Sequence, residues 1–320
     1  MEYLYGLLKY STNNIGDEIQ SLAAKQFLPQ VDILLDRDHL KEVKSDKKIK
    51  VIMNGWFTHC PDNWPPTSAI EPLFVSFHIT PAVADKMTSP ESLKYFKTHE
   101  PIGCRDLYTQ NLLKSKGIDA YFSGCLTLTL RKSTLKQSKN VLIVDLNRKN
   151  LKYLPDHLAK NAIFINHYVF CNSTGAPATF LGNILRKYYF FIDKLKPNSY
   201  LKKSFMVIEK FFLKKINNEK RFKKAEKLLN MYAGAQLVIT SRLHCALPCL
   251  AFGTPVIFIH KNPKNPRFRE YLKYFHAYSP KNFPKEIQDF YLNKPHKNQN
   301  SLKKTREKLI KSCEDFIQKD

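Results

Sequence analysis

The chain has 320 residues, which at ~150 residues per domain suggests about two domains. Hydrophobic residues make up 43% and aromatics 12%, ample for a core, so global disorder is excluded, and ten glycines exclude a collagen-like chain. Lys and Arg number 52 against 28 Asp and Glu; the formal net charge of +24 calls for an anionic partner, whether a phospholipid surface, an acidic substrate or nucleic acid.

In chain order, Tyr3 to Lys9 reads as a strand. Ile15 to Phe27 reads as a helix with Ile15, Ile19, Leu22, Ala23 and Phe27 on one face. Short apolar strands follow at Val31 to Leu35, Ile49 to Asn54 and Phe74 to Ile79. Asp106 to Lys116 is helical, stopped by Gly117, and Ala120 to Leu126 returns to strand. The polar stretch Arg131 to Asn140 is the best linker. Beyond it Val141 to Leu146 and Ala162 to Ile165 read as strands, then Lys220 to Ala233 as a helix. A strand at Gln236 to Thr240, a helix at Leu243 to Phe252 and a strand at Val256 to Ile259 complete the series, and Ser301 to Lys319 reads as a last helix. Strands alternating with helices give βαβ units and a mostly parallel sheet in each half. The expectation is an α/β protein of two Rossmann-like domains, residues 1–135 and 136–320, facing a central cleft.

Targeting signals are not visible. The N-terminus carries Glu2 and lacks a basic region followed by an apolar one. The longest apolar run, Cys245 to Ile259, is broken by Pro248, Gly253 and Pro255 and falls short of the ~20 residues of a bilayer span. Seven cysteines are odd in number and too few for a disulfide scaffold, so they read as reduced thiols in a cytosol-like compartment. Cys245 and Cys249, four apart on one helix, lack the further ligands a tetrahedral metal needs and read as small core residues; no metal site is expected.

Three segments carry polar residues suited to chemistry. Asn13-Asn14-Ile15-Gly16-Asp17-Glu18 joins the first strand to the first helix. Its glycine and helix N-terminus suit an anion, while capping by Asn13 or Asn14, with Asp17 and Glu18 complementing the helix dipole, explains it more simply. Ser241-Arg242-Leu243-His244 follows a buried strand directly, where ligands bind in α/β sheets, and two cation-capable side chains beside an apolar helix are poor packing choices. Together they suit a carboxylate or phosphate, with Arg242 as the bidentate fork. Arg105-Asp106 sits between an apolar approach and a helix; Asp106 suits an N-cap, and Arg105 would lie at a strand's carboxyl end.

A fourth feature is the stretch from Arg186 to Lys227, with fourteen Lys and Arg against four acids and interleaved aromatics such as Tyr188, Phe190, Phe205 and Phe211. A helix lying on an anionic membrane and a solvated outer face both fit it. Nucleic acid is not expected as a partner, because no recognition motif accompanies the charge.

Asn14 to Ala23, Val31-Asp32 to Asp38, Arg105-Asp106, Thr240 to His244 and Gly253-Thr254-Pro255 occur in an order that resembles the polysaccharide pyruvyl transferase family, over roughly residues 1–275. The resemblance implies a GT-B-like architecture. It also implies transfer of the enolpyruvyl carbons of phosphoenolpyruvate onto two hydroxyls of a surface-polysaccharide sugar or its lipid-linked precursor, forming a pyruvate ketal. No cofactor is implied beyond phosphoenolpyruvate as donor. The first half would then face the acceptor and the second the donor. Arg242 matches the family's donor-binding Arg. Arg105, Gly16, Asn14 and Ser241 would complete the donor site, His244 would serve as general acid or as phosphate ligand, and Asp17 as base for the acceptor hydroxyl. A cytosolic donor and a lipid-linked glycan would bring the enzyme to the inner face of the cell membrane, with residues 186–227 as the means. Cys245 stands where many relatives carry Gly, and residues 186–227 lie outside the matching motifs. The competing readings are a glycosyltransferase of the same architecture that uses a nucleotide sugar and, further off, a basic nucleic-acid-binding protein.

Overall fold

The computed structural model describes residues 3–132, 137–146, 154–169, 216–262, 265–283 and 299–319, with positions 152, 213 and 287 between them. Two parallel sheets organise the chain. The first contains β1 (Leu4–Lys9), β2 (Ile33–Asp36), β3 (Ile49–Phe57), β4 (Ile70–Ile79), β5 (Ile102–Cys104) and β6 (Ala120–Phe122), in the order β2-β1-β3-β4-β5-β6. The second contains β7 (Val141–Val144), β8 (Ala162–Ile165), β9 (Leu237–Thr240), β10 (Val256–Ile259) and β11 (His276–Tyr278), in the order β11-β10-β9-β7-β8. Read from its own first strand, the first sheet has the doubly wound order 2-1-3-4-5-6 and the second 2-1-3-4-5. The order therefore reverses between β1 and β3 and between β7 and β9, and ligands bind at such points beyond the carboxyl ends. The apolar runs VLIV, LVIT and VIFI are buried along their whole length, as parallel strands covered on both faces must be.

The helices are α1 (Gly16–Lys25), α2 (Ala84–Met87), α3 (Pro90–Thr98), α4 (Leu107–Lys114), α5 (Asp156–Ala159), α6 (Asn218–Gly234), α7 (Leu243–Phe252), α8 (Pro266–Arg269) and α9 (Gln299–Gln318). The one-faced pattern expected for α1 understates its burial: every residue from Gly16 to Ala24 is buried. The reason is position. α1 covers the first sheet and also packs against α6 and α7 of the second half, so it has no solvent face. Its small residues Gly16, Ser21, Ala23 and Ala24 permit that double contact. One apolar cluster accordingly runs through both halves, from Leu7, Ile19 and Val75 to Val144, Val238 and Leu247.

A buried ion pair crosses the same seam. Arg221 of α6 donates from Nε to Glu18 Oε1 at 2.6 Å, and from Nη2 to the Thr12 carbonyl at 2.6 Å. Arg221, counted in sequence among the cations of the basic stretch, thus points inward, whereas Lys220, Lys223 and Lys227 of the same helix are exposed. Residues 186–212 and 214–215 of that stretch lie outside the described residues, as do 133–136 of the expected linker.

The last helix returns to the first half. Leu302, Leu309 and Cys313 of α9 join the shared core, and α9 packs on β4 and on the single turn Leu126–Thr129. Buried Lys50 of β3 bonds from Nζ to the carbonyls of Ile317 and Lys319. α9 also meets the second half, where Arg306 Nη1 donates to the Ala251 carbonyl at 3.3 Å and Tyr274 Oη lies 3.2 Å from Ser301 Oγ, so the last helix bridges the two halves. Among the described residues, no helix is long and apolar enough to cross a membrane.

Candidate active site

The second half brings Ser241, Arg242 and His244 to the carboxyl end of β9, as the sequence predicts. The turn from strand to helix is held locally. Thr240 Oγ1 accepts from the Arg242 N–H at 3.0 Å, and the Arg242 carbonyl accepts from the N–H groups of Cys245 and Ala246. Arg242 is thus the extended residue that opens α7. α7 ends at Gly253, whose φ of 73° suits a residue without a Cβ. The Arg242 guanidinium donates from Nε to Asp145 Oδ2 at 2.7 Å and lies over the Tyr168 ring at 5.8 Å. Ser241 Oγ donates to the Asp145 carbonyl at 3.2 Å. Asp145 follows β7 directly and has φ of 53°, a conformation that asparagine and aspartate tolerate best among side-chain-bearing residues. Both loops at the β7/β9 reversal are therefore tied through one aspartate that sequence reading passed over, although its place straight after VLIV was the available signal.

From the first half comes the loop before α1. The Asn14 side-chain oxygen accepts from the Gly16 N–H at 3.1 Å, and the Ile15 N–H donates to the His167 carbonyl at 2.8 Å. The Asp17 N–H donates to the Asn14 carbonyl at 3.1 Å. These donors are engaged within the chain, so the loop does not present a ring of free N–H groups. What Gly16 provides is proximity: a Cβ there would stand 3.2 Å from both Cβ and Nδ1 of His244. Asp17 accepts from Thr12 Oγ1 at 2.7 Å, Gln20 Nε2 at 3.3 Å and Asn14 Nδ2 at 3.5 Å. In this arrangement its carboxylate braces the loop.

Arg105 lies between these two sets of residues. It leaves the carboxyl end of β5 with its N–H bonded to the Phe77 carbonyl at 2.8 Å, while its own carbonyl accepts from Tyr271 Oη at 2.6 Å. Its side chain is buried. Nη1 donates to Gln20 Oε1 at 2.9 Å and lies 3.5 Å from His244 Nε2. Nε and Nη2 have no hydrogen-bond partner among the described residues. Asp106 caps α4, accepting from the Thr109 N–H at 2.9 Å, and receives His78 Nδ1–H at 2.5 Å. Burial, then Arg105, lowers the His78 pKa to about 4, so His78 is neutral beside an ionised Asp106. His244 is likewise held well below the usual histidine range, by burial first and then by Arg105 and Arg267.

Arg267 was missed in sequence. It sits on α8, which packs on α4 just beyond β10, in a run (NPKNPRFRE) that shows only as one more basic loop. Desolvation, then the field of Arg105, lowers its guanidinium to about 10, with Arg242 adding to the effect. Because the residue as a whole stays open to solvent, the field of the two neighbouring cations is the telling part. Of the sequence-predicted residues, Asn14, Gly16, Arg105 and His244 form one contiguous set. Arg242 and Ser241 stand on the adjoining loop, with Arg267 electrostatically linking Arg105 to Arg242. Such a cluster of guanidiniums beside a neutral histidine is chemically suited to a multiply charged anion. Among the described residues no group of three or more His, Cys, Asp or Glu could hold a metal ion.

Comparison with solved structures returns distant likenesses. A functionally uncharacterised protein, KP1_0663, from Klebsiella pneumoniae subsp. pneumoniae NTUH-K2044 is 13% identical, with 85% of this chain and 88% of that chain covered and a TM-score of 0.44. The UDP-GlcNAc 2-epimerase of Methanocaldococcus jannaschii is 12% identical, with 99% and 98% covered and a TM-score of 0.44. A search among curated proteins returns no match. The family model described as polysaccharide pyruvyl transferase matches residues 14–260, a span that begins at the Asn14 loop, includes Arg105, Arg242 and His244, and ends just after β10; the chain belongs to the polysaccharide pyruvyl transferase family.

Proposed function

We propose that the protein transfers the enolpyruvyl group of phosphoenolpyruvate to two hydroxyls of a glycan, forming a pyruvate ketal and releasing phosphate. The observation that carries this reading is the meeting of Arg105 from the first half with His244 from the second, 3.5 Å apart, inside a cluster that also contains Arg242 and Arg267. The donor has a carboxylate and a phosphate, so it needs several cations in a partly dry site. The reaction adds a proton to the methylene carbon and a hydroxyl oxygen to the neighbouring carbon. A second hydroxyl then displaces phosphate. Of the two hydroxyl protons, one replaces the proton given to carbon and the other leaves with phosphate.

In this reading His244 manages that proton. Without substrate it is neutral, because burial and two guanidiniums disfavour its charge. An arriving phosphate offsets those cations, so the imidazole gains basicity when the donor binds and can take and deliver a proton in the complex. Asp17, reading as a brace, would act on the acceptor hydroxyl only after its bond to Thr12 is exchanged for that hydroxyl. The acceptor lies on the first-half side of the site. A lipid-linked acceptor would be met through residues 186–227 together with the exposed lysines of α6.

The test is release of inorganic phosphate from phosphoenolpyruvate against a panel of free and lipid-linked glycans. Glycan-dependent release is the expected result. Turnover of a nucleotide sugar with none of phosphoenolpyruvate would replace this reading with a glycosyltransferase.

A further inference from the structure

Among the described residues three arginines are wholly buried, and two of them show what this interior does with a guanidinium. Arg37 turns its Nε/Nη2 edge onto Asp38, at 3.3 and 3.0 Å. Arg221 turns the same edge onto Glu18 Oε1, with both nitrogens at 2.6 Å. In each case the flat side of the fork meets one carboxylate and the buried charge is neutralised locally. Arg105 is the third and is 1% exposed. Its Nη1 is committed to Gln20, which fixes the plane of the group, yet Nε and Nη2 meet no acceptor among the described residues. Asp106, the adjacent carboxylate, is occupied by His78, the Thr109 N–H and Thr109 Oγ1.

We propose that the Nε/Nη2 edge of Arg105 is the receptor for the carboxylate of the donor, and that the phosphate goes to Arg242 and Arg267. The assignment rests on the donor reading above. It follows from charge as well as shape. A carboxylate carries one negative charge and two coplanar oxygens, which match one guanidinium edge. A phosphate carries about two charges, which suit the more solvent-open pair of arginines. Gln20 is a positioning residue here: its side-chain amide donates to Asp17 Oδ1 at 3.3 Å while its oxygen holds Nη1 at 2.9 Å, so it links the loop before α1 to the orientation of Arg105.

The experiment is calorimetric titration of the full chain with 2-phosphoglycolate and with 2-hydroxyethyl phosphate, which differ only in having a carboxylate or a hydroxymethyl group. The parent should prefer phosphoglycolate about 10- to 100-fold, the range for hydrogen bonds to a charged group. Arg105→Lys and Arg105→Met should lose that preference while binding hydroxyethyl phosphate within a few-fold of the parent. Because a buried arginine variant can misfold, Gln20→Leu provides an independent arm: Arg105 stays, its anchor goes, and the preference should fall several-fold. A preference that persists in the Arg105 and Gln20 variants overturns the proposal. So does the absence of any preference in the parent, and in that case phosphate release from phosphoenolpyruvate shows separately whether the donor reading stands.

Discussion

The Glu18–Arg221 pair makes a quantitative prediction about the seam between the halves. Arg221→Met removes the cation and leaves a carboxylate whose side chain is 2% exposed. Breaking a buried pair from one side costs about 3–5 kcal/mol. The cost should depend on pH, with a sign that follows from Glu18 itself. Desolvation already raises its pKa to about 7, against the pull of Arg221, and removing Arg221 can only raise it further. A carboxyl with a raised folded-state pKa favours folding below its unfolded value and loses that contribution as pH rises through the folded value. The variant should therefore be worst at about pH 8.5 and should lose only about 1–2 kcal/mol, the hydrogen-bond part, at about pH 5.5. Urea unfolding followed by the fluorescence of Trp56 and Trp64 at both pH values measures it. The double variant Glu18→Leu/Arg221→Met, which removes both charges, should recover most of the loss. A penalty below about 1 kcal/mol at both pH values, or a double variant as unstable as the single one, would refute the reasoning.

Further outcomes are expected. Arg242→Lys keeps a charge but cannot fork between Asp145 and a ligand, so kcat/KM should fall by about 2–5 kcal/mol in transition-state terms; near-parent activity would remove Arg242 from the donor site. His244→Gln should lower kcat about 10²–10⁴-fold, and in the parent the descending limb of kcat against pH should lie above that of kcat/KM, because the free site depresses His244 and the bound anion relieves it; coincident limbs, or equal activity of the Gln variant, would leave His244 a binding role alone. His78 should make the fold acid-labile: its pKa falls from 6.5 to about 4, the unfolded chain binds the extra proton, and stability should drop by up to about 3 kcal/mol between those values, a drop absent from a folded His78→Gln variant by denaturation at pH 6.5 and 4.5. Replacing Lys202, Lys203, Lys214 and Lys215 by Glu should release the protein from anionic vesicles in low-salt co-sedimentation, since each cation near such a surface contributes ~1 kcal/mol; a parent that never binds vesicles makes the stretch a solvated face.

The periodicities read correctly where one cause dominated. Val141–Val144, Ala162–Ile165 and Val256–Ile259 are strands because short apolar runs rich in Val, Ile and Phe fill them, and Leu243–Phe252 is a helix that continues through Pro248 and stops at Gly253. Arg242, His244 and Arg105 were legible because a polar residue straight after a buried strand has few structural reasons to be there. The three-residue strands Ile102–Cys104 and His276–Tyr278 were not, since so short a run carries no period. The four-sided burial of α1 was invisible for a different reason: its third layer comes from residues some two hundred positions later. Arg267 and Gln20 escaped because a lone basic residue in a basic chain, or a glutamine in a helix, has no local signature; what makes them part of the site is only what the fold places beside them.

The return of α9 to the first sheet has a consequence for synthesis. β6 ends at Phe122, and the helix that covers β4 and the turn at Leu126–Thr129 begins at Gln299. At cellular elongation rates the ribosome needs roughly 10–40 s to make the residues between them. Through that interval the nascent first half has its strands but lacks Leu302, Leu309 and Cys313, and Lys50 lacks the carbonyls of Ile317 and Lys319. The surface that α9 will cover stays open to chaperones, and to neighbouring chains on the same messenger, until the last turns of helix emerge to close it.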